Sequence, residues 1–397
     1  MMRSRVSLSI IGFLFFVLLC STGANIPISA GTIKYSQIGF FVFAFFNLRI
    51  LNVIKDGQKV DKWVNISIIV LLVIAIGSLL YSVDRNRTLI QSLQLIINVL
   101  IFYSTIGFLS LRNNGSGLAP LLTFVFYVFI VLALFEYLGL IMPENDNLSN
   151  GLFGGRKAGL FMADSNWNST YVFFLYYALY LYYKKGYIRK QSFSVIAIGM
   201  GLFCLLTLSR VILLAYFIHV VFSAFEILPR KWLLPLIILG YIILMSPIPR
   251  MILPERYTYD IYDDSSNPRY LDAIFLIDEV SVYGKERMGF GFGTLSYVND
   301  DIRNSFRGND FEYAGSINVL PVQLYFDFGL IGLGVLSFLL ILLIAISKSW
   351  DKRFIIIASY VFCCFHMPGY MNFFWLFMGY FYYLFNLLDS KIDGCYI

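Results

Sequence analysis

Three arginines, Arg156, Arg210 and Arg269, each stand beside apolar or glycine-rich sequence. A guanidinium keeps its charge and presents a planar fork that grips phosphate oxygens in pairs. One such contact in a partly dry site is worth about 1.5–3 kcal/mol. Several together can hold a pyrophosphate and stabilise it as a leaving group without a metal. Lys157, next to Arg156, adds a second cation. Snorkelling or ion-paired surface arginines are the plainer alternative. That alternative is weakest for Arg210, because Thr207–Arg210 is a hairpin too short to carry its side chain far from two helix ends.

Carboxylates come next. Glu136 lies late in one apolar run and Asp327 early in another. An ionisable group inside a membrane span is costly, and therefore a functional candidate. Either can pair with an arginine or take a proton from a sugar hydroxyl as general base; for Asp327 a structural salt bridge stays open. Asp272, three residues after Arg269, is a candidate for substrate binding or a helical partner for that arginine. Gly291 centres the run Gly289-Phe290-Gly291-Phe292-Gly293, which lacks the flanking strand and helix of a nucleotide fingerprint. Such a run lets backbone approach a helix or a lipid headgroup closely. Of the two histidines, His219 reads as a packing residue and His366 as a minor candidate for the site. The five cysteines show no metal-ligand spacing and none lies in the longest polar segment, so neither a metal, another cofactor nor a disulfide framework is expected.

The elements that must hold these residues are membrane helices. Of the 397 residues 59% are hydrophobic and 14% charged, against about 25% charged in a soluble domain. Twelve apolar runs approach the roughly 20 residues a helical crossing needs. They are Val6–Ser21, Ser36–Ile54, Val64–Ser82, Leu89–Leu111, Leu118–Met142 and the short Thr170–Tyr183. Then follow Ser192–Leu208, Val211–Leu228, the short Trp232–Met245, Val319–Ile346, Phe354–Met367 and Tyr370–Leu388. The runs do not alternate polar with apolar, which excludes a barrel. The expected fold is thus all-α, a polytopic integral membrane protein forming a single domain over residues 1–397. One large polar loop, 249–318, separates the ninth and tenth helices; it holds 12 of the 24 acidic residues and 7 of the 30 basic ones. Within it, Pro268–Val282 has the apolar spacing of a short surface helix.

Charge sets the orientation. With Met1 inside, the cytoplasmic segments collect 17 of the 30 basic residues and the short outer loops 6. Basic residues near helix ends dominate topology, so both termini face the cytoplasm and the long loop faces outside. The net charge of +6 follows from this topology, and no nucleic-acid partner is expected. The first apolar run, with no small-residue cleavage site close behind it, reads as an uncleaved first helix.

Four segments together resemble the family of bacterial O-antigen and capsule repeat-unit polymerases, which shares its fold with the O-antigen ligases. They are Arg156-Lys157-Ala158-Gly159-Leu160-Phe161, Leu206-Thr207-Leu208-Ser209-Arg210, Asn267-Pro268-Arg269-Tyr270-Leu271-Asp272-Ala273 followed by the glycine run, and Asn318 leading into Phe326-Asp327-Phe328-Gly329-Leu330-Ile331-Gly332. The resemblance implies glycosyl transfer between two polyprenyl-pyrophosphate-linked oligosaccharides on the outer face of the bacterial inner membrane. Arg210, Arg269, Asp327 and Glu136 would be catalytic, and Arg156, Lys157, Asp272, Gly291 and Asn318 would bind substrate. Membrane lipid and a chain-length regulator protein are the further partners it implies. Ligases of this superfamily carry a histidine near the start of the tenth helix, where this chain reads Ala314-Gly315-Ser316-Ile317-Asn318; polymerase is favoured over ligase. A twelve-helix exporter of lipid-linked oligosaccharide is the non-enzymatic rival, and it predicts two similar halves that the lopsided loop does not provide.

Overall fold

Between the first two apolar runs the chain forms something other than a helix. In the computed structural model, β1 (Asn25–Ile28) and β2 (Gly31–Lys34) make an antiparallel hairpin, with Ile26 opposite Ile33. Apart from this hairpin the described elements are helical, in keeping with the all-α expectation. The segment between the two runs is short, and its β-branched Ile26, Ile28, Thr32 and Ile33 suit a ladder. The structure describes residues 12–13, 15–21, 25–28, 31–46, 60–110, 115–140, 165–207, 209–227, 276–278, 280–294, 320–366 and 371–393.

The described helices are α1 (Tyr35–Phe46), α2 (Lys62–Gly77), α3 (Arg85–Ser110), α4 (Gly115–Tyr137) and α5 (Ser165–Lys184). They continue with α6 (Lys190–Thr207), α7 (Arg210–Ile227), α8 (Leu320–Ile346), α9 (Trp350–His366) and α10 (Asn372–Asp393). Five stretches among the described residues are long and apolar enough to cross a membrane: Lys62–Leu80, Arg85–Leu109, Leu118–Tyr137, Lys190–Thr207 and Leu320–Ile346. The protein is a helical membrane protein on that ground.

Two compact units divide the chain. The first comprises Met1–Cys20, Ser36–Arg112 and Asn267–Leu387; the second comprises Ser21–Tyr35, Asn113–Ser266 and Leu388–Ile397. In the first, α2, α3 and α10 share a core of Ile68, Val99, Phe102 and Ile106, joined by Trp375, Met378 and Tyr382. There Gly379 lets α10 press on α3, since a Cβ would stand 2.6 Å from the Phe102 carbonyl oxygen.

Among the described residues, the second unit holds helices α4 to α7. Helix α5 is its buried centre: every residue from Asn168 to Tyr182 is buried, on all sides of the helix. It begins at Ser165 rather than at Thr170, so its 20 residues reach about 30 Å. The extra length comes from Asn166, Trp167, Asn168 and Ser169, polar or amphipathic residues that hydropathy alone assigns to a loop.

Candidate functional site

The polar groups of the second unit gather at one end of it. Helices α4 to α7 pack on one another, and alternation in direction puts the end of α4, the start of α5, the end of α6 and the start of α7 together. Ring contacts fix the level. Tyr176 of α5 meets Tyr216 at 5.5 Å and His219 at 5.4 Å, both on α7. Moving about two turns back along these parallel helices brings Asn168 level with Ser209 and Arg210. Likewise Gly199 of α6 packs on Phe126 and Ile130 of α4. About two turns onward, Glu136 is level with Thr207.

This end is dry yet polar. Asn168, Ser169, Thr170 and Thr207 are 0% exposed, Ser209 1% and Glu136 2%. Thr207 returns its hydroxyl to the Phe203 carbonyl at 3.0 Å. Two of these six side chains do not settle in this way. Neither amide atom of Asn168 has a hydrogen-bond partner, and neither does the Ser209 hydroxyl. Ser209 opens α7, its carbonyl accepting from the Leu213 amide at 2.9 Å. A serine there ordinarily caps the helix with its hydroxyl, as Asp84 caps α3 by accepting from the Arg87 amide at 3.0 Å. The Ser209 hydroxyl makes no such bond. Arg210 follows at the first helical position, where the helix dipole disfavours a cation and favours an anion.

The first unit contains a broken helix. Inside α8, Gly329 has φ 65° and ψ −167°, so the turn around it gives up two intrahelical hydrogen bonds. The segment Glu286–Gly291 replaces them. Phe290 donates to the Phe326 carbonyl at 2.8 Å and Gly291 to the Asp327 carbonyl at 3.0 Å. In return Leu330 donates to the Glu286 carbonyl at 2.7 Å and Ile331 to the Arg287 carbonyl at 3.3 Å. Each segment supplies what the other's interrupted turn lacks, and each carries a positive-φ glycine, Gly289 and Gly329. A Cβ on Gly289 would stand 2.5 Å from the Asp327 carbonyl carbon, and one on Gly329 would stand 2.5 Å from the Arg287 carbonyl oxygen.

Aromatic stacking clamps this joint. Phe290 lies on Phe326 at 4.5 Å and Phe292 on Phe328 at 5.4 Å. The far side of the glycine run rests on the end of α2: Phe292 donates its amide to the Ser78 hydroxyl at 3.1 Å, and Val83 donates to the Phe290 carbonyl at 3.0 Å. Asp327 is carried on the interrupted turn with 0% exposure. Its Oδ2 accepts from the Gln323 amide at 3.1 Å, and its carboxylate acts electrostatically on the Tyr81 phenol.

Glu136 and Arg210 are therefore at one end of one unit, and Asp327 with Gly291 at the helix break of the other. The Gly291 amide is taken by Asp327, and its α-carbon abuts Ser82, so the run packs against helix backbone. Arg156, Lys157, Arg269, Asp272 and Asn318 lie outside the described residues. So do the ninth apolar run and most of the 249–318 loop. Of the surface helix expected at Pro268–Val282, residues 276–278 and 280–282 are described and helical, with Leu276 and Val280 buried. His219 is a packing residue in the described structure, 3% exposed among Tyr176, Tyr177 and Tyr180. Among the described residues no three His, Cys, Asp or Glu side chains group as metal ligands.

Sequence reasoning did not single out Asn168 or Ser209. The signal for Asn168 was its place just before an apolar run too short to span. The signal for Ser209 was its place in a hairpin with no room for a loop. No protein-family model matches the chain, and no curated protein matches it.

Proposed function

We propose that the protein is a polysaccharide polymerase of the bacterial inner membrane, a metal-independent glycosyltransferase joining lipid-linked oligosaccharide repeat units. In this reading the chain crosses the membrane twelve times and exposes 249–318 outside. The observation that carries it is the dry polar end of α4 to α7, where Asn168, Ser209 and Glu136 are buried and Arg210 is the first residue of α7. A deeply buried cluster with unpartnered polar atoms is a poor structural filler and a good ligand site.

In the reaction, a hydroxyl oxygen of the incoming unit forms a bond to the anomeric carbon of the growing chain. The bond from that carbon to the pyrophosphate oxygen breaks. Polyprenyl pyrophosphate leaves with the electron pair, and Arg210, with Arg156 and Lys157 of the same unit, holds its charge. The hydroxyl proton passes to a carboxylate, for which Glu136 is in the same unit as Arg210; Asp327, in the other unit, is the remaining candidate that the sequence names. Asp272 and Asn318 belong to the sugar-bearing outer segment.

The test is substitution of Arg210. Arg210→Ala is expected to leave protein levels intact and reduce surface glycan to single repeat units on a gel. Loss of about 3–4 kcal/mol of transition-state stabilisation slows transfer by about a hundred- to a thousandfold. Arg210→Lys keeps charge without the paired hydrogen bonds and recovers activity in part. Arg85 opens α3 with its side chain exposed, so Arg85→Ala should keep full-length chains. Wild-type ladders from Arg210→Ala would remove this arginine from the site.

A further inference from the structure

We infer that Asn168 and Ser209 form a subsite for a sugar ring next to the phosphate-binding Arg210; the inference rests on the function proposed above. Its basis is the chemistry of the groups left unpartnered. The Asn168 amide has two N–H donors and one carbonyl acceptor, and both kinds of atom are buried without a partner. A phosphate oxygen accepts only, so it would satisfy Nδ2 and leave Oδ1 bare. A sugar hydroxyl both donates and accepts and can satisfy either atom. The Ser209 hydroxyl has the same dual capacity and is equally unpartnered. The two residues are level on neighbouring parallel helices, with Ser209 joined directly to Arg210.

Position also speaks for a sugar. In a glycosyl pyrophosphate the first sugar is covalently next to the phosphates. A group held by Arg210 therefore presents its ring within reach of neighbouring polar side chains. Asn168 is held there by the buried body of α5, whose Tyr171 to Tyr182 pack on all sides. Its amide is thus preorganised, and the ligand bears little of the cost of ordering it.

Purified protein in nanodiscs would be titrated with two probes, sugar-free undecaprenyl pyrophosphate and the same lipid bearing one oligosaccharide unit. Binding is read from the rise in melting temperature with concentration. Asn168→Leu and Ser209→Ala are expected to bind the sugar-free lipid as the wild type does. They should bind the sugar-bearing lipid about tenfold or more weakly. Both should also melt slightly higher than the wild type without ligand, because an unpaired buried polar group has been removed. If the wild type binds both probes and the variants bind both equally well, the subsite is overturned while the proposed function stands. If the wild type binds neither probe, the proposed function and the subsite fall together. A variant that melts lower without ligand and loses both probes alike assigns the residue to the fold and refutes a sugar contact.

Discussion

Two carboxylates can take the proton in the proposed reaction, and their surroundings separate them. Glu136 is at the end of α4, level with the α6–α7 hairpin that carries Arg210. Asp327 is fixed at a helix break by Gln323 one turn earlier, and its own backbone carbonyl is taken by Gly291. A general base is worth about 10²–10⁴ in rate. Glu136→Gln is thus expected to slow chain extension about a hundredfold or more per folded molecule. Asp327→Asn keeps the size but weakens a charge-assisted hydrogen bond, worth about 1.5–3 kcal/mol when intact. It should lower the melting temperature, and activity per folded molecule should fall less than in Glu136→Gln. Extension rate per folded protein, measured beside a melting curve, decides the assignment; the reverse pattern would make Asp327 the base.

Elements show where the sequence is legible and where it is not. The α6–α7 hairpin was readable because two apolar runs meet at Thr207–Arg210, and the observed helices, Lys190–Thr207 and Arg210–Ile227, follow that division. The start of α5 was not readable, because polar residues before an apolar run look like loop until tertiary packing buries them. Nor was the break in α8. Val319–Ile346 is apolar throughout except at a few positions, and the interruption at Gly329 exists because a segment about 40 residues earlier in the chain completes the hydrogen bonds. The glycine run gave only half of that: its need for close backbone approach was plain, its target was not. At Gly289 and Gly329 a side chain meets both positive φ and backbone within 2.5 Å. Alanine at either position should cost about 1–3 kcal/mol from the dihedral alone, and more from the clash. Gly334, in the same helix with nothing within 4 Å of a Cβ, is the contrast; Gly334→Ala should be neutral or stabilise by up to about 1 kcal/mol. Melting curves of the three variants in one detergent test the reciprocal exchange. Equal melting temperatures would show that the break tolerates side chains.

At the scale of the whole molecule the question is which side each end of the helices faces. Alternation along α4 to α7 puts the 185–189 connection at one end of these helices and Ser209, before α7, at the other. The charge distribution then chooses between the two orientations: Lys184, Lys185, Arg189 and Lys190 surround the first connection, while Arg210 alone marks the hairpin. Basic flanks stay in the cytoplasm, so in the proposed function the dry polar end carrying Asn168, Ser209 and Arg210 is expected to face outward, where lipid-linked sugars would be joined. Cysteine labelling can read this with little background, since Cys20, Cys204 and Cys363 are buried and Cys364 is half-buried. In a Cys395→Ser background, single cysteines placed in 143–164 or 265–309 should react with an impermeant maleimide on intact cells. Cysteines at 185–189 should react only after the membrane is opened. The second half of that expectation is the stricter one, because an inverted chain would expose 185–189 and hide both polar segments. An inward-facing polar end would remove the substrate from the site and, with it, the case for a polymerase.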